Sequence, residues 1–188
     1  MKTIKLVFAA LLIAASVNTF AQKKEVKTDA SSVVWTGKKI AGSHTGGIDL
    51  KDGYIELKDG KLTGGKFVLD MNSITNTDLE DEGYNSKLVG HLKSDDFFGV
   101  ASYPTSEFVI TKVSNKGDDK ATVTGTLTIK GKSEKISFDV LKKGKGYTAQ
   151  IKVDRSKFDV RYGSDSFFDN LGDKAIDDIF ILDVELAI

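Results

Sequence analysis

The sequence predicts an all-β protein: an antiparallel barrel or sandwich of about eight short strands with one helical insertion. Three observations carry this. In residues 121–140, Val123, Gly125, Leu127 and Ile129 fall on one side, while Thr122, Thr124, Thr126, Thr128 and Lys130 fall on the other. Gly131 and Lys132 interrupt, and Ile136, Phe138 and Val140 resume the alternation, which makes this a β-hairpin with one apolar and one polar face. Comparable runs recur along the chain, separated by glycine and aspartate. Only residues 77–98 adopt a different period, with Tyr84, Leu88 and Leu92 spaced four apart as on an amphipathic helix.

The beginning of the chain is expected to lie outside the fold. Lys2 and Lys5 precede an unbroken apolar run over residues 6–15, and Thr19-Phe20-Ala21 ends in a small-x-small pattern. This is the layout of a secretory signal peptide, residues 1–21, cleaved after Ala21. The apolar run is too short to span the roughly 30 Å of bilayer hydrocarbon. Export places the protein in the periplasm or outside the cell. Removing 21 of the 188 residues leaves 167, enough for a substantial core. Residues 22–30 are polar and read as a flexible leader, with the folded domain over 31–188.

Two lysines leave with the signal, so 25 basic residues face 27 acidic ones. That balance gives no footprint for nucleic acid. The chain has no cysteine, which removes disulfides, thiolate metal sites and cysteine nucleophiles.

The strands follow in order. Val33 and Trp35 alternate with Val34 and Thr36, a glycine-rich turn at 42–47 leads to Ile48 and Leu50, and Asp52-Gly53 precedes residues 54–57. Asp59-Gly60 leads to Leu62, Phe67, Leu69 and Met71. Asp-Gly between alternating runs is a hairpin signal, because the turn needs positive φ. Later strands cover 107–113, the 121–140 hairpin, 147–153 and 179–188. Thr77-x-x-Glu80 resembles a capping box for the helical insertion, which would cover one barrel end. Phe167, Phe168 and Leu171, between glycines and aspartates, read as a plug or rim.

Catalytic signals are weak. His44 lies in the glycine-rich turn and His91 in the helical segment, neither with ligand spacing to another histidine or carboxylate. The acidic cluster Asp78, Glu80, Asp81 and Glu82 lacks the oxygen spacing of a calcium loop and suits a helix start. Residues 42–47 lead into alternation rather than a helix, unlike a phosphate loop. No GxSxG elbow is present. The reading is a non-enzyme without a metal or other cofactor.

Four segments together carry a resemblance: His91-Leu92-Lys93-Ser94-Asp95-Asp96-Phe97-Phe98, Tyr103-Pro104-Thr105-Ser106-Glu107-Phe108, Gly125-Thr126-Leu127-Thr128-Ile129-Lys130-Gly131 and Val153-Asp154-Arg155-Ser156-Lys157-Phe158. In this order the chain resembles the YceI-like family of bacterial exported proteins over about residues 31–188. The resemblance implies an antiparallel eight-stranded lipocalin-like barrel whose apolar tunnel holds a polyisoprenoid, an isoprenoid quinone or a fatty-acid-like chain. It also implies a homodimer and no catalytic residues. Two stretches, Arg161-Tyr162-Gly163-Ser164 and residues 167–173, depart from the pattern after Asp154-Arg155.

An eight-stranded barrel is just wide enough to hold one small ligand. The candidates to line it are the inward apolar residues Trp35, Phe67, Leu69, Phe108, Ile110, Val123, Leu127, Ile129, Phe138, Ile151, Val153 and Leu182. Burying a prenyl tail contributes roughly 0.8 kcal/mol per methylene, so about ten support binding without polar contacts. Asp154 and Arg155 form an ion pair at the barrel mouth or lock a strand end. Alternatives are a non-catalytic structural or stress-response barrel with a filled core, and a small outer-membrane barrel whose pattern is turned inside out.

Overall fold

The structure, a computed structural model, describes residues 21–188; the expected signal peptide falls outside these but for Ala21. Ten strands form one antiparallel sheet: β1 (Gln22–Glu25), β2 (Ser32–Lys39), β3 (Gly42–Gly47), β4 (Asp49–Lys58), β5 (Lys61–Asp70), β6 (Thr105–Asn115), β7 (Lys120–Ile129), β8 (Lys132–Lys143), β9 (Gly146–Asp154) and β10 (Ile179–Leu186). Helix α1 (Glu82–Lys93) lies between β5 and β6. The pairing order is β1-β4-β5-β6-β7-β8-β9-β10-β2-β3.

β3 and β4 are two halves of one extended stretch bent at Ile48. The first half pairs with β2 and the second with β5, while the Ile48 amide donates to the Val33 carbonyl at 3.0 Å. The sheet therefore curls back on itself through the bend. Counting the bent pair as one strand gives the eight staves expected of the barrel, with β1 added along the remaining edge of β4.

Local chemistry explains most turns. The β4–β5 turn sits at Asp59 (φ 52) and Gly60 (φ 76), and the β7–β8 turn at Lys130 (φ 49) and Gly131 (φ 72). Two consecutive positive-φ residues form the primed turn that suits the twist of a hairpin. Asp52-Gly53, expected to turn, instead lies inside β4 at a β-bulge, where the register shifts between Leu50 and Asp52. Residues 42–47, expected as a turn, form β3. Residues 22–30, expected as a flexible leader, supply β1, the buried Val26 and a 3-10 turn at Thr28–Ala30.

One end of the barrel is closed by α1 and the loop between β9 and β10. Asp81, not Thr77, caps α1, accepting a hydrogen bond from the Tyr84 amide at 2.9 Å. Leu88 and Leu92 pack on the core with Phe97 and Phe98, whereas Tyr84 is exposed. Phe167 and Phe168 also face solvent, so the lower plug is built from Phe158, Val160 and Ser164 instead. At the opposite end, Ile55, Leu62, Ala121, Val123 and Val140 form a second cluster.

The wall is incomplete in one place. β8 pairs with β7 over ten residues, from Ile129↔Lys132 to Lys120↔Leu141. Against β9 it pairs only from Lys143↔Gly146 to Val140↔Ala149. Below that last pair the two strands run on without a shared ladder.

Candidate binding cavity

The inward faces of the strands enclose two adjoining spaces. The upper cavity, about 100 Å³, lies between β4–β10 and is lined by Phe67, Phe108, Ile110, Val123, Phe138 and Ile151 among others. The lower cavity, about 80 Å³, lies beneath Trp35, Ile48, Met71, Phe97, Ile129 and Phe180. Leu69, Ser106, Leu127 and Leu182 line both and so form a waist between them. Both surfaces are almost wholly apolar. Apolar cavities of this order stay dry and accept apolar guests.

Polar groups at the cavity wall are satisfied elsewhere. Ser106 is buried at the waist, and its hydroxyl donates to the Thr128 carbonyl at 2.9 Å. The Glu107 carboxylate is 2.7 Å from the Lys66 ammonium. Burial pushes the Tyr147 phenol up from its ordinary value. The walls thus offer dispersion contact and little else, which favours a hydrocarbon guest.

Glycines shape this interior. The Phe108 ring lies over Gly125, where an added Cβ would be 2.5 Å from Phe108 Cζ. That explains a glycine in an otherwise bulky inward series. Gly46 on β3 serves a different approach: an added Cβ would sit 1.8 Å from the Thr75 carbonyl oxygen. The same oxygen accepts from Trp35 Nε1 at 2.9 Å, orienting the indole over the lower cavity. Thr75 and Thr77 amides donate to the Gly47 and Thr45 carbonyls, so this loop covers the outer edge of β3.

Arg155 closes the lower cavity and is only 2 % exposed. Its Nε donates to the Asp177 carbonyl, Nη1 to those of Val160 (2.9 Å) and Tyr162 (2.8 Å), and Nη2 to that of Ile176 (2.8 Å). The Asp178 carboxylate lies 3.4 Å from Nη2, a charge contact too long to be a good hydrogen bond. Asp154 does not pair with Arg155; it accepts from the Ser156 amide and hydroxyl and caps the 3-10 turn Arg155–Phe158. Of the two roles expected for this motif, the structure therefore gives the strand-end lock.

Eleven of the twelve lining candidates border these cavities: Phe67, Phe108, Ile110, Val123, Phe138 and Ile151 the upper, Trp35 and Ile129 the lower, and Leu69, Leu127 and Leu182 both. Val153 does not. It is fully buried in the core and lines neither cavity. Alternation could not find Phe97, Phe98 and Leu92, which reach the lower cavity from the insertion. Ser106 was missed because a serine at the first inward position of β6 carries no apolar signal.

The histidines hold structure together. His44 Nδ1 lies 2.9 Å from Asp78 Oδ2, and Asp78 also accepts from the Thr45 amide, tying β3 to the segment before α1. His91 meets Phe97 and Tyr162 edge-on. Among the described residues no three histidine or carboxylate groups are placed to share a metal ion.

Comparison with known proteins agrees with this architecture. The YceI-like domain matches residues 25–188. A UPF0312 protein of Shewanella denitrificans is 28% identical over 139 residues, covering 73% of this chain and 70% of that protein. The crystal structure of Burkholderia cenocepacia BcnA superposes with a TM-score of 0.67 at 25% identity, over 86% of this chain and 98% of that one. A polyisoprenoid binding domain from Saccharophagus degradans, implicated in plant cell wall breakdown, gives 0.59 at 16% identity, over 86% and 95%. A family match across the whole barrel, with solved structures of the same topology, assigns this chain to the YceI-like family.

Proposed function

We propose that this protein binds an amphiphilic lipid, a polyisoprenoid, an isoprenoid quinone or a fatty-acid-like chain, and carries or sequesters it in the periplasm or outside the cell. The observation that carries the reading is the pair of apolar cavities that meet at the Leu69–Ser106–Leu127–Leu182 waist. Two small apolar cavities that share four lining residues suit a hydrocarbon chain. The polyisoprenoid-binding domain of similar fold supports the same ligand class. The leader-like residues 1–21 support export. On this reading the eleven lining residues touch the chain, and the protein acts by binding rather than by catalysis.

The test is native mass spectrometry of protein purified from its own host, before and after organic extraction. The expected result is a non-covalent mass adduct that extraction removes and that lipid analysis identifies as a long-chain amphiphile. A protein that carries no adduct and takes up no apolar fluorophore would instead be the filled, structural barrel.

A further inference from the structure

We propose that the ligand's apolar chain enters and leaves through the side of the barrel, between β8 and β9. Lysines around that slot then hold the head of an anionic single-chain amphiphile outside. The inference rests on the lipid-binding reading above and adds a route and a head-group class to it.

The slot follows from where the ladder stops. Continued past Val140↔Ala149, the β8–β9 register would set Phe138 opposite Ile151 and Ile136 opposite Val153. Both strands keep their inward alternation over these positions, yet they are not paired there. Val140, where pairing holds, is 8 % exposed. Ile136, Phe138 and Ile151, below it, are only half-buried although they line the upper cavity. Apolar side chains that face a barrel interior and still reach solvent mark an opening in the wall. The Val140–Ala149 pair bounds the opening above. Below, β8 lies beside the 3-10 turn Arg155–Phe158, with Lys132 close to Asp159.

The ends of the barrel offer no comparable passage. The lower end is sealed by Phe97 and by the carbonyls gathered around Arg155. The upper end is filled by the Ile55–Val140 cluster and crossed by the segment after β1, whose Lys27 amide donates to the Ala187 carbonyl at 2.9 Å. Entry at either end breaks buried packing and hydrogen bonds. Entry between β8 and β9 breaks no ladder. The rim of the slot carries four exposed lysines, Lys132 and Lys135 on β8, Lys152 on β9 and Lys157 on the turn, with Glu134 and Asp159 among them. None of the four forms an ion pair among the described residues. A chain threaded through the slot leaves a carboxylate or phosphate head among them.

The experiment uses Ser137→Cys with Lys152→Cys, the pair that a continued ladder would place opposite, in a chain that has no other cysteine. A cleavable bis-maleimide carrying an internal disulfide bridges the slot, and uptake of cis-parinaric acid is followed by fluorescence. Bridging is expected to slow uptake about tenfold or more, and reduction of the linker to restore it. A control bridge at Thr122→Cys with Asp139→Cys, already paired across β7 and β8, leaves the rate unchanged. Equal rates in fully bridged and unbridged protein would overturn the lateral route and leave lipid binding intact; no uptake by the unbridged protein would overturn both. Replacing all four lysines by glutamine is expected to weaken the free acid about fivefold or more and to spare its methyl ester. An equal effect on acid and ester, or none, would overturn the head-group assignment.

Discussion

Arg155 and Ile176 lie 21 residues apart, and Arg155 Nη2 donates to the Ile176 carbonyl oxygen at 2.8 Å. Through this bond and its neighbours one side chain organises the β9–β10 loop as a floor to the lower cavity. A planar fork with five donors on three nitrogens reaches four carbonyls spread around it, more than the three donors on a lysine's single nitrogen can serve. Arg155→Met leaves those carbonyls without their shared donor and the Asp178 carboxylate without its nearby positive charge. The expected loss is about 3–5 kcal/mol by urea unfolding, with Arg155→Lys recovering only part of it. A loss below about 1 kcal/mol in the methionine variant would show that the loop holds itself without the arginine.

The same floor makes stability fall in acid. Burial alone would raise the Asp178 carboxyl, but hydrogen bonds from Ser164 and Ser166 and the charge of Arg155 outweigh it and hold it below its ordinary value. A carboxyl depressed in the folded state contributes stability that is full above the unfolded value, about 4, and is lost as pH falls through the folded value. Asp178→Asn removes that contribution at every pH. Urea midpoints of the native and variant proteins should therefore differ at pH 7 and converge toward pH 3. Parallel curves across this range would show that Asp178 is not coupled to folding.

Gly46 tests the link between β3 and the loop that orients Trp35. Its missing Cβ makes room for the Thr75 carbonyl, which accepts from the indole. Gly46→Ala drives a methyl into backbone that is itself hydrogen-bonded, so the expected cost is about 2–3 kcal/mol. Limited proteolysis should then cut within residues 74–81 before it cuts elsewhere. Unchanged stability and cleavage would mean that the loop rests on Asn76 and Asp78 instead.

The barrel and its inward face were legible in the sequence because both follow from a period of two. Residues 121–140 form a hairpin with the expected faces, and Asp59-Gly60 turns where positive φ is needed. Other features depended on partners that a one-dimensional pattern does not show. Glycines at 42–47 looked like a turn, yet Gly46 is there for the close approach of Thr75, a contact between residues far apart in the chain. Asp52-Gly53 carries turn chemistry and is absorbed as a bulge, since pairing of β4 with β5 continues past it. Polar residues 22–25 gave no apolar signal because β1 is held by backbone pairing to an open strand edge. The early end of the β8–β9 ladder is likewise invisible, because both strands keep their alternation where they separate.

The waist controls how long a chain the barrel takes. Leu182 on β10 stands opposite Trp35 of β2 and Ile151 of β9, and it borders both cavities. Leu182→Phe adds volume at the junction, at a cost of about 1–3 kcal/mol from overpacking. A short chain that occupies only the upper cavity keeps its contacts. A longer one loses the lower cavity, and excluding about three methylenes at roughly 0.8 kcal/mol each amounts to some 2 kcal/mol. Displacement of a bound fluorophore should accordingly show palmitate weakened about thirtyfold and octanoate nearly unchanged. Leu182→Ala widens the same point and should preserve the preference for palmitate while lowering stability by about 2–5 kcal/mol. If Leu182→Phe weakens both acids alike, the two cavities do not act as one continuous channel.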